Sequence, residues 1–464
     1  MILQLLCVIE HQNNQIEVLT SRVVELEARL NQNSKNSSQP PSRDIGRVNK
    51  PGIPKTPKNQ GGQIGHKGNT LHKIDNPDAV VVLGTPVCEC GSVLDISTGE
   101  VVQTYQEFDL PPTPKLYVTE YRRLEQRCGC GRVHLGALPA HIHANVQYGA
   151  GVRALTVLLS NSCQLSYEKI STLFHDLYGY DLNESTAVSN NECAYTRLEI
   201  TEQEIKVALL QSEVVHFDES GIKVSSERHW LHTACNALRT FLFVNVGRGR
   251  AAHKGVILDT FKNWAVHDCY HTYFLFKDCL HSLCNSHLLR ELQAQIEQGK
   301  LWATQMHKFL LDLYKKSEKG TKTVKDIGSE KEKWRKLCED ALAVEELIFA
   351  RKPPPKTNPS EKRGRKKRGA ALSLLDRLLK HSDAILAFAE FEVVPFSNNQ
   401  AERDIRPVKT KQKVAGCFRT IDGANRYARI QGFIATCRKQ DFNVFKELRA
   451  VCSTHILYKA PFAC

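Results

Sequence analysis

The first hydrophobic pattern in the chain is a stripe of aliphatic residues spaced mostly three or four positions apart. It comprises Ile2, Leu5, Ile9, Ile16, Leu19, Val23, Leu26 and Leu30. This heptad seam predicts a helix over residues 1–32 that self-associates as a short coiled coil. A helix packed on the chain's own body would show a similar stripe, so that alternative stays open. Residues 33–70 are rich in Asn, Ser, Pro and Gly and predict a flexible linker, because they bury too little apolar surface to become ordered.

In residues 71–140, β-branched and aromatic runs replace the helical pattern. The runs VVVLGTP, VVQTYQEFDL and KLYVTEYRRLEQR predict a small β domain. Two pairs at its turns, Cys88 with Cys90 and Cys128 with Cys130, offer four thiolates that suit a structural Zn²⁺ ion. A single residue separates the members of each pair, whereas zinc sites usually have at least two. A ligand role for His134, and reduced thiols without a metal, therefore stay as alternatives.

Helical spacing returns in residues 141–210. The segment SYEKISTLFHDLYG predicts a helix with Ser166 as N-cap and Gly179 as its C-terminal stop. Its apolar stripe comprises Ile170, Leu173, Phe174 and Leu177. A second short helix follows a tight turn in YDLNESTAVSNNE. The pair predicts a DNA-reading helix-turn-helix-like region, although any helical hairpin has the same pattern.

Alternating strands and helices fill residues 211–292. The segments EVVHFDESGIKV, HWLHTACN and TFLFVNVGRG predict a three-stranded meander, with Asp218 just before a Ser-Gly turn. A helix in AAHKGVILDTF, a fourth strand ending at Asp268, and a strand and helix in HSLCNSHLLREL follow. This order is that of a ribonuclease H-like α/β core, in which the first and fourth strands are neighbours. We therefore expect Asp218 and Asp268 to lie side by side.

Amphipathic helices predict an insertion over residues 293–390. They are KFLLDLYKKSEK, VEELIFARK and LSLLDRLLKHSDAILAFAEF, and they surround the basic run RGRKKRG. Residues 391–440 then complete the core and carry Glu402, and residues 441–464 are predicted to be a C-terminal tail. The expected fold class is multidomain α+β.

The charge distribution predicts a binding partner, and the cysteine content predicts a cellular compartment. The net charge is +13, with seven basic residues against one acid in 33–70 and nine against one in 351–369, so the rest of the chain is close to neutral. Such basic arms predict DNA as partner, with solvated linkers as the alternative. The 16 cysteines, without a secretory signal or a run of about 18 apolar residues, predict a soluble intracellular protein with no membrane partner.

Three acids carry the chemistry that this organisation predicts. Asp218, Asp268 and Glu402 each fall in the matching element of the expected core, where facing carboxylates repel one another unless cations neutralise them. Two Mg²⁺ or Mn²⁺ ions held in this way promote in-line phosphoryl displacement. Taken singly, Glu402 would be a surface partner of Arg406, and each aspartate a turn or cap residue. The residues predicted to bind DNA phosphates are Arg403, Arg406, Lys409, Lys411, Lys413, Arg363, Arg365, Lys366, Lys367 and Arg368.

A series of stretches, in one order over nearly the whole chain, points to a known family. They are LNQNSKNSSQPPSRD, GGQIGHKG, the two cysteine pairs, HFDESGIKV, HWLHTA, VHDCYHTYF, CNSHLLREL and VPFSNNQAERDIRPVKTKQKVAGCFR. In these stretches the chain resembles the IS66-type transposases of bacterial insertion sequences. The resemblance implies an Asp-Asp-Glu transposase that cuts its element's terminal DNA and joins the freed 3′ hydroxyls to a target, with the triad on Asp218, Asp268 and Glu402.

The same resemblance implies the partners and the location. The DNA partners are the element's terminal inverted repeats and the target, and the protein is expected to act as a homo-oligomer in the bacterial cytoplasm, on the nucleoid. Whether accessory transposition proteins are needed stays open. Two other function classes also stay open. One is a DNA-binding regulatory protein derived from a transposase but without catalysis, and the other is a metal-dependent nuclease of the same fold that joins no strands.

Several ligand-type side chains near the acids are given no part in this chemistry. Cys284 and His287 stand close together in CNSHLLREL, as they do in the family, but two ligands alone are more often packing than a metal site. His216, His267 and His271 flank the acids, and no role is predicted for them.

Overall fold

The structure is a computed structural model of the chain. It describes residues 73–83, 89–93, 95, 97, 100–108, 115–318, 320–350, 368–453 and 457–462, together with some positions between 9 and 37. The chain divides into two compact units. One comprises Met1–Ile45, Glu120–Asp176 and Tyr180–Cys464, and the other comprises Gly46–Thr119 and Leu177–Gly179.

Part of the N-terminal stripe is described. Ile2 and Leu5 lie outside the described residues. The other six positions are helical, and their side chains are 43–72% exposed: Ile9, Ile16, Leu19, Val23, Leu26 and Leu30. Helix is therefore observed at these positions, as predicted, whereas the coiled coil stays a prediction.

The small β domain differs from the prediction. Its described residues contain one antiparallel hairpin, formed by β1 (Glu125–Arg127) and β2 (Val133–Leu135). The runs at 80–83 and 101–108 form no strand. Val80, Val82 and Val102 are 76%, 66% and 96% exposed. A β-branched run becomes a stable strand only against a partner strand and a covered face, and these runs have neither in the described residues. The predicted strands there are wrong.

Four helices between residues 150 and 210 precede the main sheet. They are α1 (Ala150–Asn161), α2 (Tyr167–Tyr178), α3 (Glu184–Arg197) and α4 (Glu199–Leu210). The predicted pair corresponds to α2 and α3. Ser166 Oγ accepts a hydrogen bond from the Lys169 N–H (3.3 Å), and Gly179 takes the left-handed conformation (φ 69°) that ends a helix. Asn183 caps α3 through the Ser185 N–H. A DNA-reading role for the pair stays a prediction.

The main sheet has the strand order that the sequence predicts. Its strands are β3 (Val214–Val224), β4 (Glu227–Cys235), β5 (Thr240–Asn245), β6 (Trp264–His267) and β7 (Leu280–Leu283). They are arranged in the order β5-β4-β3-β6-β7. The first three pair antiparallel, and β6 runs parallel to both β3 and β7. The first and fourth strands of the sheet are thus neighbours.

One local prediction in this sheet is corrected. The sequence predicts a turn at Ser220–Gly221, but β3 continues through both residues and turns at Ser225, where φ is 53°. Gly221 pairs with Trp230 of β4, and the side chain of Arg228 lies over it. The ladder therefore continues past a residue that usually ends a strand.

Short helices connect the later strands. The predicted helix in AAHKGVILDTF is observed as a 3₁₀ turn (Arg250–His253) and the short α5 (Ile257–Thr260). A second 3₁₀ turn (Tyr273–Leu275) precedes β7, and α6 (Asn285–Ile296) follows it.

The helical insertion packs on the core as one cluster. It contains α7 (Leu301–Lys316), α8 (Ile327–Ala350), α9 (Ala370–Lys380) and α10 (Ser382–Glu390). Their buried side chains, such as Trp334 and Phe388, share a hydrophobic cluster with Leu288 and Leu292 of α6. Burial of these apolar faces is the main stabilising term available to the insertion.

Three further helices complete the fold. They are α11 (Asn399–Ala415), α12 (Ile421–Lys439) and α13 (Val444–Ser453). Leu448 and Val451 of α13 are fully buried in a cluster with Ala154 and Val157 of α1. The prediction of a tail over residues 441–464 is therefore wrong for Val444–Ser453, because the amphipathic α13 buries its apolar face in the body of the protein.

Gly432 allows α12 to approach β5 closely, and replacing it is expected to destabilise the fold. A Cβ atom at this position would meet the Thr240 carbonyl oxygen at 3.0 Å, and backbone atoms cannot rotate away. We expect Gly432→Val to lower the free energy of unfolding by about 1–3 kcal/mol, the usual range for overpacking. Denaturant unfolding would measure it, with Gly328→Ala as a control, since a Cβ atom there meets nothing within 4 Å. Equal stability of wild type and Gly432→Val would contradict the close approach.

Candidate active site

Asp218 lies in the middle of β3, at the centre of the sheet. Strand residues alternate between faces, so Asp218 shares a face with Ile222. Ile222 packs in a hydrophobic cluster with Ile405 and Val408 of α11. Asp218 is therefore on the face that α11 covers, and it is half-buried.

Asp268 comes directly after the last residue of the neighbouring strand. The pairs Val214–Trp264 and His216–Val266 set the parallel register, and Asp218 and Asp268 stand at the same offset two residues farther along. Asp268 Oδ1 accepts a hydrogen bond from the Tyr270 N–H (2.9 Å), which orients this carboxylate at the strand end. The two aspartates thus occupy equivalent positions on neighbouring parallel strands.

Asn398, the residue before α11, connects the start of this helix to β3. Its Oδ1 pairs with Nδ1 of His216 (2.9 Å), and its Nδ2 donates to the carbonyl of Phe217 (2.7 Å). It is almost completely buried, with 1% of its surface exposed. These bonds hold the first turn of α11 against β3, next to Asp218. Glu402 lies in that first turn.

The three acids share one electrostatic environment. The pKa of Asp218 is raised well above its usual value, first by burial and then by the negative charges of Glu219 and Asp268, with a smaller contribution from Glu402. Like charges so close together disfavour the ionised form unless a cation neutralises them. The structure thus brings together the three acids that the sequence singles out, although they lie on three separate elements.

Glu402 also contacts side chains from α6. Its Oε1 lies 3.6 Å from Nδ1 of His287 and 3.8 Å from a guanidinium nitrogen of Arg290, and its Oε2 lies 4.0 Å from Arg406. Burial and the neighbouring Arg290 lower the pKa of His287. Together with Cys284, His287 and Glu402 form a group whose ligand atoms lie within 4.8 Å of one another. The pair with Arg406 is therefore the longest of these three contacts of Glu402.

A fourth acid supports the site and is missed by the sequence analysis. Glu219 accepts hydrogen bonds from Arg248 Nε (2.6 Å) and from the Tyr273 hydroxyl, on the opposite face of β3 from Asp218. Burial raises its pKa, as does the charge of Asp268. The Arg248 guanidinium stacks on the Tyr270 ring at 3.8 Å. The signal in the sequence was an acid at an inward position of a buried strand, next to Asp218.

The comparison with known families decides the identity. A family model described as the IS66 family of transposases matches residues 145–426, more than half of the chain and a region that includes all three acids. The chain belongs to this transposase family. Residues 2–72 match a separate family of unknown function. No curated protein matches the chain significantly.

The predicted DNA-binding residues of this IS66-family protein form two groups along the chain. Arg403, Arg406 and Lys413 are exposed on α11. Lys409 lies close enough to Asp218 for that charge to act on it, although burial lowers its pKa. Lys411 differs, because it is half-buried and donates to the carbonyl of Ser160 (3.1 Å).

In the basic run of this IS66-family protein, Arg368 is the one basic residue that the structure describes. Arg368 pairs with Glu346 (2.6 Å) and Asp376 (3.0 Å), so its charge is already neutralised within the protein. Arg363, Arg365, Lys366 and Lys367 lie outside the described residues, and their role stays a prediction.

The zinc hypothesis for the cysteine pairs is not tested by the structure. Cys88 lies outside the described residues, and Cys90 belongs to a different compact unit from Cys128 and Cys130. Cys128 and Cys130 are exposed near the hairpin turn that connects β1 and β2, and His134 lies in β2. Hydrogen bonds from Cys130 lower the pKa of Cys128.

The histidines of this IS66-family protein differ in their surroundings. His216 bonds Asn398, so it has a positioning contact that the sequence did not predict. His267 is buried and stacked on Tyr273, and burial lowers its pKa to about 3. His271 is exposed. Among the described helices, none is long and apolar enough to span a membrane.

Proposed function

We propose that the protein is the transposase of an insertion sequence, which cuts DNA at the element's ends and joins the freed 3′ hydroxyls to target DNA. Membership of the IS66 transposase family supports the class of activity. The strand order β5-β4-β3-β6-β7 supports a ribonuclease H-like core. The observation that carries the proposal is the convergence of Asp218, Asp268 and Glu402, whose charges act together on the Asp218 carboxyl.

The donor set fits hard divalent cations. Carboxylate oxygens are the ligands that Mg²⁺ and Mn²⁺ prefer, and a cation at the cluster would offset the repulsion that raises the pKa of Asp218. Asp218, Asp268 and Glu402 would hold the metal. When bound, two such ions activate the attacking water or hydroxyl and stabilise the leaving oxygen of a phosphodiester.

The chain's own residues position this cluster and the DNA. Asn398 ties the helix that carries Glu402 to the strand that carries Asp218, and the pair of Glu219 and Arg248 fixes that strand from its other face. Lys409 lies close enough to Asp218 for their charges to interact, and its ammonium would contact the phosphate being cut. Arg403 and Arg406 extend the basic surface along α11, where they would bind neighbouring phosphates.

Two other functions would give different results in an assay of DNA cleavage and joining. A regulatory protein without catalysis would bind the element's ends but leave them uncut. A nuclease of the same fold would cut them but join nothing. The clustered acids argue against a regulatory protein without catalysis, because burying charges of one sign is unfavourable unless a bound cation neutralises them.

The test is cleavage and joining of DNA that carries the element's ends. The ends are identified as inverted repeats, bounded by short target duplications, in the DNA flanking the gene. We expect the purified full-length protein with Mg²⁺ or Mn²⁺ to cut at the repeat boundary and to join a pre-cut end to a plasmid, whereas chelation stops both reactions. Binding without cleavage in either metal would contradict the proposal, and cleavage without joining would restrict it to a nuclease.

A further inference from the structure

A second group of ligand-type side chains adjoins the proposed catalytic acids. Cys284 is the residue before α6, His287 lies in the first turn of α6, and Glu402 lies in the first turn of α11. Their Sγ, imidazole nitrogen and carboxylate oxygen all lie within 4.8 Å of one another. Cys284 and His287 alone are more often packing residues than a metal site. The third ligand lies far away in the sequence, so only the fold shows it.

The ligand atoms are poorly satisfied within the protein. His287 Nδ1 and Glu402 Oε1 are buried, and neither atom has a hydrogen-bond partner among the described residues. Leaving such atoms without a hydrogen bond is unfavourable. Cys284 is 1% exposed, and its sulfur accepts a hydrogen bond from the Asn398 N–H (3.1 Å). The group is therefore polar, partly buried and short of hydrogen bonds within the protein, as a metal site is before the metal binds.

The donor types indicate which metal fits. A thiolate, an imidazole and a carboxylate suit Zn²⁺ or a similar thiophilic ion, whereas Mg²⁺ avoids sulfur. Donor atoms around Zn²⁺ are roughly 3.5 Å apart, as follows from bonds of about 2.0–2.3 Å in a tetrahedron. The observed spacing thus needs only a small inward movement of the side chains. Three protein ligands leave a fourth position for water.

We propose that Cys284, His287 and Glu402 form a binding site for Zn²⁺ or a similar thiophilic divalent ion, distinct from the carboxylate cluster but sharing Glu402 with it. Occupancy draws the Glu402 carboxylate toward α6 and away from Asp218 and Asp268. Because Glu402 belongs to both sites, the bound ion inhibits cleavage; this step rests on the proposed function. The positive charge of Arg290, 3.8 Å from Glu402, opposes binding and so limits the affinity.

Metal binding is tested directly with Co²⁺, a coloured substitute for Zn²⁺, on the full-length protein under reducing conditions. Thiolate coordination gives an intense charge-transfer band in the near ultraviolet. Because other cysteines in the chain also offer thiolates, the informative quantity is the difference between variants. We expect Cys284→Ser and His287→Gln each to bind one Co²⁺ fewer per chain than wild type, and Cys163→Ser, an exposed cysteine outside the group, to bind the same number.

Two variants keep this test decisive if one of them misfolds, and circular dichroism identifies which variant is folded. If every folded variant binds Co²⁺ with the stoichiometry and band of wild type, the site does not exist, and the three side chains make only the ion-pair contacts seen between His287, Arg290 and Glu402.

The regulatory half of the inference is tested in the cleavage assay. We expect Zn²⁺ added in small excess over protein to inhibit Mg²⁺-dependent cleavage by wild type. For His287→Gln, the Zn²⁺ concentration that halves the cleavage rate should be at least about tenfold higher, because one metal ligand is lost. Equal inhibition of both would overturn the shared role of Glu402. Co²⁺ binding without any cleavage by wild type would leave the site in place and refute the proposed function instead.

Discussion

Asp218→Asn and Glu402→Gln are each expected to abolish DNA cleavage while leaving binding to the element's ends largely unchanged. Both replacements keep the shape of the side chain but remove the negative charge that holds the cations, and members of one catalytic unit cannot substitute for one another. We expect the rate of cleavage to fall by roughly 10⁴-fold or more, the scale seen when one member of such a unit is lost. Single-turnover cleavage of labelled end DNA measures the rate, and gel shift measures binding.

The matched controls make the same chemical change at exposed acids. Asp278, which lies just before β7, and Glu392, which follows α10, are both exposed, so Asp278→Asn and Glu392→Gln alter the net charge equally without touching the cluster. Both controls are expected to cleave at the wild-type rate. Cleavage by Asp218→Asn within tenfold of its control would remove Asp218 from the catalytic group, and the same comparison applies to Glu402→Gln and Glu392→Gln.

The order of the sheet could be predicted because its strands carry strong local signals. β-branched alternation marks β3 to β5, and apolar runs followed by acidic or polar residues mark β6 and β7. Once the order is known, the parallel pairing of β3 with β6 places Asp218 beside Asp268, whatever the loops do. The helices of the insertion could also be predicted, because each has amphipathic spacing and buries its apolar face in the fold.

Tertiary contacts account for what the sequence did not show. Glu219 and Arg248 are far apart in the chain, and only the fold pairs them. A Ser-Gly pair predicts a turn, but cross-strand pairing with Trp230 extends β3 past it. The runs at 80–83 and 101–108 have strand composition, yet their exposure shows that propensity alone does not make a strand. The group of Cys284, His287 and Glu402 could not be predicted, because its third ligand comes from another helix.

Asn398→Ala is expected to reduce cleavage strongly without removing any proposed metal ligand. The change removes two buried hydrogen bonds and leaves His216 Nδ1 and the Phe217 carbonyl without this partner, which should lower the free energy of unfolding by about 2–4 kcal/mol. It also frees the first turn of α11 to shift. A displacement of Glu402 by about 1 Å relative to Asp218 would cost roughly a hundredfold in rate.

A structural role and a positioning role for Asn398 predict different kinetics, and Asn183→Ala separates them. Asn183 caps α3 through the Ser185 N–H, so its loss lowers stability by about 1 kcal/mol without touching the site. Measured where both variants remain folded, Asn183→Ala should cleave at the wild-type rate. Asn398→Ala should lose kcat with little change in KM, because DNA contacts on α11 are retained while Glu402 is misplaced. If the two variants lose activity only in proportion to their unfolded fraction, Asn398 stabilises the fold and does not position the acid.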